Sequence, residues 1–328
     1  MFNTAKILVG DNRKTIATLE AGSVQTCITS PPYWGLRDYG QDDQIGLEQT
    51  PDEYVEQLCL VFDEVWRVLA DDGTLWLNLG DSYANRGGVS APDRSHSGGN
   101  RGERGRQGSP LSRGGVNRPS ALSEVIKPKD LVGIPWRVAF ALQSRGWYLR
   151  SEIIWHKPNP MPESVTDRPT KSHEHIFLLT KSAKYFYDHE AIKEDALTEP
   201  AMRNKNAEGY QADYAKGDRF SPGEREFGAD GKRNKRDVWT VATQPFAGAH
   251  FAVYPPALIE PCVLAGSREG DTIIDPFSGS GTTGVVALRN GRNYIGTELN
   301  PEYAALSKQR IGDDCGMFGD VEVIGETE

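Results

Sequence analysis

The sequence predicts an α/β protein built on a Rossmann-like, doubly wound and mostly parallel sheet of seven strands, carrying polar insertions. Two observations lead there. Short apolar runs alternate with amphipathic helical patterns along most of the chain, and a glycine-rich loop joins one such run to a helix. Residues 6–9 read as the first strand and 24–29 as the second, stopped by a double proline. Over 52–69, Tyr54, Val55, Leu58, Phe62, Val65, Trp66 and Leu69 recur on one helical face. Pro51 suits the first turn of that helix, and Asp72-Gly73 marks its end. A buried strand follows at 74–79. Residues 130–143 are a helix whose proline sits in the first turn or at a kink. Two more strands lie at 147–155 and 175–180, then a short helix at 257–265. Strand 272–274, helix 282–289, strand 293–296 and helix 301–309 complete the pattern.

Composition narrows the function classes. The 328 residues suffice for one large α/β domain with an inserted lobe. No apolar run approaches the ~20 residues that span a bilayer, and the first residues lack the regions of a signal peptide, so a cytoplasmic protein without membrane contact is expected. A net charge of −9 argues against a protein that coats nucleic acid non-specifically, but the basic residues are clustered. Residues 84–120 hold seven arginines, including Arg101, Arg104 and Arg106, among glycines and serines. Residues 193–237 are polar and end in a run containing Lys232, Arg233, Lys235 and Arg236. Both stretches are candidates for phosphate contacts. Cys27, Cys59, Cys262 and Cys315 are too scattered for a zinc cluster or a disulfide framework, and His173-x-His175 has no third ligand nearby, so no metal site is expected.

The sharpest motif is Thr29-Ser30-Pro31-Pro32-Tyr33-Trp34, at the carboxyl end of a strand, where doubly wound sheets bind ligands. Two prolines hold the backbone extended and leave carbonyl acceptors without N–H donors. Such acceptors suit an aryl amine, whose lone pair is delocalised into its ring. With Ser30 Oγ and the Pro31 carbonyl on its two hydrogens, the nitrogen would turn pyramidal and aim its lone pair at an electrophilic methyl. Tyr33 could stack on a base taken out of the duplex. The second motif, Asp275-Pro276-Phe277-Ser278-Gly279-Ser280-Gly281-Thr282-Thr283, joins a strand to a helix and lets backbone approach a cofactor closely. Glu298 at the tip of the next strand stands where a carboxylate holds ribose, and Asp11 is a third acidic strand tip. No lysine follows the glycines, which disfavours a phosphate-binding loop.

These residues resemble the β-class S-adenosyl-L-methionine-dependent DNA amino-methyltransferases, the cytosine-N4 and adenine-N6 methylases. Ser30, Pro31, Pro32 and Tyr33 are similar to their catalytic tetrapeptide, and residues 275–283 to their cofactor motif D-P-F-x-G-S-G-T-T. The tetrapeptide precedes the cofactor motif, as in the circularly permuted class; protein-glutamine methyltransferases carry N-P-P-Y after theirs. The resemblance covers roughly residues 5–83, 125–190 and 237–310, with further likeness at 75–83, 172–188, 237–239 and 250–258. It implies a circularly permuted methyltransferase fold and a flipped base in duplex DNA. It implies catalytic Ser30, Pro31, Pro32 and Tyr33, and a cofactor pocket made by Asp275, Phe277, Gly279, Gly281 and Thr282. Glu298 would hold the ribose, Asp11 would lie near the adenine, and Phe251 would cover the methionine part.

The implied organisation is a catalytic part at 1–83 and 121–192, a Gly/Arg-rich insert at 84–120 and target recognition at 193–240. A cofactor part follows at 241–315 and a tail at 316–328. Serine in the first position of the tetrapeptide leans toward cytosine N4, since the adenine enzymes of this class usually carry aspartate. An adenine-N6 enzyme, an RNA methyltransferase and a catalytically silent DNA-binding protein remain as alternatives. A homodimer and a separate cognate restriction endonuclease are open as partners.

Overall fold

The computed structural model describes residues 3–36, 38–41, 43–84, 126–196, 231–244, 253–316 and 319–325. The chain opens with β1 (Asn3–Val9), a single helical turn α1 (Asn12–Thr15) and β2 (Val24–Thr29), which is buried along its whole length. Helix α2 (Pro51–Val68) begins at a capping box: Thr50 Oγ1 accepts from the Glu53 N–H while the Glu53 carboxylate accepts from the Thr50 N–H. Its apolar stripe is the predicted one, and all of Tyr54, Val55, Leu58, Phe62 and Val65 are buried. The helix stops earlier than expected. Val68 is its last residue, and β3 (Leu69–Leu79) absorbs Asp72-Gly73 through a register shift against β2.

Helix α3 (Ile134–Ser144) carries Pro135 in its first turn, where the missing N–H costs nothing. Two further strands, β4 (Tyr148–His156) and β5 (His173–Thr180), complete this half. A short ribbon pairs β6 (Glu194–Asp195) with β7 (Lys232–Arg233), and β8 (Val238–Thr240) follows. The last part runs α4 (Pro256–Gly266), β9 (Thr272–Asp275), α5 (Thr282–Arg289), β10 (Asn293–Glu298), α6 (Pro301–Cys315) and β11 (Gly319–Ile324).

The described strands form one nine-stranded sheet in the order β11-β1-β10-β9-β2-β3-β5-β4-β8. Only β5 runs antiparallel to its neighbours. The seven predicted strands are the inner seven. The two unpredicted ones, β8 and β11, are the edges, so part of the expected tail is sheet. Alternation places Leu75, Leu77, Leu79, Phe177 and Leu179 against α2 and α3, and Trp76, Ile176, Leu178 and Ile273 against the layer of α4, α5 and α6. Cys27, Cys59 and Cys262 are buried. Among the described residues no helix is long and apolar enough to cross a membrane.

Candidate active site

Strands β9 and β2 lie side by side, and the winding runs outward from them, through β10 and β1 on one side and β3 on the other. Their carboxyl ends therefore part at the switch point of the sheet, where such folds take ligands. A cavity of about 180 Å³ opens there. Thr29 Oγ1 closes the seam by donating to Asp275 Oδ1 at 2.6 Å.

On the β9 side, the glycine loop is fixed from four directions. Asn12 Nδ2 and Thr297 Oγ1 donate to the Pro276 carbonyl, at 3.0 and 2.6 Å. Tyr294 donates to Ser278 Oγ, and Arg310 from α6 reaches Ser280 and Thr282. Gly281 has φ +75°, and an added Cβ would stand 2.3 Å from Ser307 Oγ of α6. Only glycine lets the loop and that helix approach so closely. Gly279 also has positive φ, and its N–H donates to Glu298 Oε2 at 2.8 Å. The Asn300 N–H donates to Glu298 Oε1 at 2.9 Å. Burial of the Glu298 carboxyl in the cavity wall nevertheless pushes its pKa up to about 7. Asp11 caps α1 by accepting from the Arg13 N–H at 3.0 Å. Burial raises its pKa, but the Arg13 hydrogen bonds outweigh this and hold it below the ordinary aspartate value.

On the β2 side, Tyr54 donates to the Pro32 carbonyl at 2.7 Å, while no described residue donates to the Pro31 carbonyl. Tyr33 turns its hydroxyl inward to Glu174 Oε2 at 2.6 Å. Its ring lies so close to the end of β3 that a Cβ on Gly80 would fall 2.5 Å from Tyr33 Cε2. Asn78 Nδ2 approaches Ser30 Oγ, Tyr33 Oη and Glu174 Oε2 at 3.3, 3.1 and 3.0 Å. Lys157 pairs with the other oxygen of Glu174.

Nine predicted residues meet in the cavity wall: Asp11, Ser30, Pro31, Pro32, Tyr33, Phe277, Gly279, Thr282 and Glu298. Two do not reach it. Asp275 is 1% exposed and accepts from Thr29, Tyr254, Thr283 and the Phe277 N–H, so it braces the loop from behind. Gly281 acts through its contact with α6. Phe251, Arg101, Arg104 and Arg106 lie outside the described residues, although Val253 and Tyr254 line the cavity.

The basic run lies elsewhere. It leads into β8, the edge strand that pairs with the last residues of β4, with β3, β5 and β4 between it and β2. There Arg233 and Arg236 both donate to Glu194, and Lys235 lies over the Trp239 ring, 5.1 Å from its centroid. Lys232 sits in the same ribbon. Sequence reasoning missed Asn78, Lys157 and Glu174, as well as the segment after Tyr33, whose Leu36, Tyr39 and Gln44 line the cavity.

Comparison with known proteins agrees with this geometry. A family model described as DNA methylase, of the N6/N4 group, matches residues 24–309. The Type II methyltransferase M.Cfr9I of Citrobacter freundii is 48% identical over 320 residues, spanning 97% of this chain and 91% of its own. M.SmaI of Serratia marcescens is 47% identical, spanning 94% and 91%. Among solved structures, the PvuII DNA methyltransferase superposes with a TM-score of 0.60 at 18% identity, over 98% of this chain and 95% of that one. A putative DNA modification methylase of Thermus thermophilus, solved with S-adenosyl-L-methionine, does so with 0.57 at 23%, over 98% and 99%. These two share the fold. The family match spans most of the chain, including both motifs that form the cavity, and the chain belongs to the N6/N4 DNA methylase family.

Proposed function

We propose that this S-adenosyl-L-methionine-dependent DNA methyltransferase methylates the N4 amine of a flipped cytosine in duplex DNA. The observation that carries the reading is the acceptor pair at the tip of β2. Both Ser30 and Pro31 line the cavity, and with the Pro32 carbonyl taken by Tyr54 the Ser30 hydroxyl and the Pro31 carbonyl are the acceptors left in the tetrapeptide's first three residues. A neutral serine at this position is the family's tendency in cytosine enzymes, and the PvuII neighbour is described as cytosine-N4-specific.

The cavity fits the cofactor's parts. Each Glu298 oxygen keeps a lone pair for a ribose hydroxyl after its backbone donor, Asp11 stands beyond it, and Phe277 gives an apolar wall. When bound, the cofactor supplies an electrophilic methyl on a sulfonium. Ser30 and Pro31 hold the amine hydrogens so that the nitrogen lone pair faces that methyl, and Tyr33 offers its ring to the base.

DNA contact is assigned to the arginine-rich insert, including Arg101, Arg104 and Arg106. The described residues that flank it bond to each other just beyond β3, on the cavity side, where the Ala84 N–H donates to the Asp130 carbonyl and the Lys129 N–H to the Ala84 carbonyl. A contact role for Lys232, Arg233, Lys235 and Arg236 is proposed beside that of the insert; they lead into the edge strand β8, and Arg233 and Arg236 there also pair with Glu194. Type II relatives support a partner endonuclease on a separate chain.

The test is to incubate the protein with labelled cofactor and unmethylated bacterial DNA, digest to nucleosides and identify the product by mass spectrometry. N4-methylcytosine is expected. N6-methyladenine would overturn the base assignment alone, and label only in RNA would overturn the substrate. Removing residues 85–125 should flatten the dependence of DNA affinity on salt by roughly 0.9 in log–log slope per lost phosphate contact. An unchanged slope would place those contacts elsewhere.

A further inference from the structure

Met161 is 85% exposed and stands between two prolines, Pro160 and Pro162, in the loop that joins β4 to β5. Strands β3 and β4 both run antiparallel to β5, and β3 is parallel to β2, so this loop emerges on the cavity edge of the sheet. We propose that Met161 is an apolar wedge that enters the duplex where the target base leaves it and stacks on the bases that remain. The inference rests on the reading that this protein methylates a base taken out of duplex DNA.

The loop presents this side chain on a fixed support. Two residues before it, Asn159 Nδ2 donates to the Thr243 carbonyl at 3.2 Å, and Asn159 Oδ1 accepts from the Thr243 N–H at 3.0 Å. Two residues after it, Glu163 accepts from Arg168 at 2.6 Å and from the Lys171 N–H at 3.3 Å. Between these anchors each proline fixes its own φ and restrains the residue before it. Met161 is thereby held out from the surface with little backbone freedom left to lose on binding.

The same loop is tied to the catalytic tip. Lys157 at its start pairs with Glu174, which accepts the Tyr33 hydroxyl at 2.6 Å. Near its end, Arg168 lies over the Tyr83 ring, 3.9 Å from its centroid, and Lys171 Nζ donates to the Asp81 carbonyl at 2.7 Å, both just beyond β3. Strand β4 stands three places from β2 in the sheet, about 14 Å at the usual strand spacing. A duplex whose flipped base reached the cavity would extend past this loop. One exposed methionine is ordinary on a protein surface. Here Leu36, Leu131 and Val165 are exposed as well, and all belong to loops on the same edge, so the mouth of the site has an apolar rim. Extruding a base breaks its stacking and opens a gap in the duplex. An unbranched, pliable thioether side chain suits such a gap, and methionine is among the residues that proteins insert between base steps.

The test uses the full chain and a duplex containing the site that the wild type methylates, once with the target base paired and once with an abasic residue opposite it. At saturating enzyme and cofactor, Met161→Ala should lower the single-turnover rate on the paired duplex by roughly tenfold or more, the scale of one lost stacking contact. Opposite the abasic residue the pair is already broken and the base leaves readily, so the two proteins should react at nearly the same rate. Met161→Leu keeps an apolar side chain of similar volume and should restore the rate on the paired duplex. Cofactor Kd and Tm should stay at the wild-type values in both variants, because the side chain is exposed. A wild-type rate for Met161→Ala on the paired duplex overturns the proposal. So does an equal loss on both duplexes, which would make Met161 a plain DNA contact. Failure of the wild type to methylate any DNA would instead remove the functional reading, and the wedge with it.

Discussion

Ser30 has one hydrogen and two lone pairs, so its neighbours decide what it can do for a substrate. Ser30→Ala should lower single-turnover transfer by roughly 100-fold and leave cofactor Kd within a few-fold, because its hydrogen bond runs to the Asn78 side chain and not to the glycine loop. Parallel loss of both would mean that Ser30 shapes the cofactor wall. Asp275 should behave differently. It accepts four donors and has no cavity surface, so Asp275→Ala strands the buried Thr29 hydroxyl and leaves Tyr254 and Thr283 only each other, with one hydrogen between them unplaced. Chemical denaturation should report a loss of about 3 kcal/mol or more, on the scale of 1–3 kcal/mol for each stranded group, with cofactor binding lost as a consequence. Most wall residues were legible because each sits at a strand tip or in a glycine loop, features written in consecutive residues. Glu174 and Asn78 were not. Their partners are distant in sequence, and nothing local distinguishes Glu174 from any polar residue early in a strand.

At the level of elements, legibility followed packing. Helix α5 was read to both ends because Gly281 starts it from a left-handed conformation and the apolar run stops at Arg289. Helix α2 was overrun at its end because Asp72-Gly73 carries a turn signal, whereas in the fold those residues enter β3 across from β2. Strand β8 has three residues, too few for a period to show. Strand β11 did carry a signal: Val321 and Val323 alternate with acidic residues and pack on the core below α6. The junction of α5 and α6 gives an element-scale prediction. Gly281→Ala adds a methyl against Ser307 in a backbone conformation that alanine resists, so α6 must shift. Thermal denaturation should show a loss of about 1–3 kcal/mol, the range for overpacking and backbone strain. Cofactor affinity should fall with it, since Arg310 on the same helix braces Ser280 and Thr282. Unchanged stability would mean that the α5–α6 contact yields freely.

The whole molecule gathers its cavity from both ends of the chain, so ligand binding and global stability should be coupled, and Glu298 gives that coupling a pH dependence. Its folded pKa is raised to about 7 from an ordinary 4.5 by burial. A raised carboxyl pKa means that the folded, unliganded protein holds a proton that the unfolded chain has released. The stabilisation is therefore complete below about pH 4.5 and is lost as pH rises through about 7, on the order of 3 kcal/mol in all. Ribose hydroxyls donating to Glu298 favour its ionised form, so cofactor binding should expel that proton. Affinity should then be full above pH 7 and weaken by up to roughly tenfold per unit below it. The rise in Tm at saturating cofactor should be larger at pH 8 than at pH 6, because the ligand relieves a buried charge that exists only at the higher pH. Glu298→Gln has no proton to release at this position. It should bind more weakly at pH 8, and its affinity should lose the Glu298 component of the pH dependence, leaving only the ligand's own titration. Calorimetry in buffers of different ionisation enthalpy counts the protons directly. A wild-type count near pH 6.5 equal to that of Glu298→Gln would mean that Glu298 is already ionised in the free protein, and that its two backbone donors outweigh its burial.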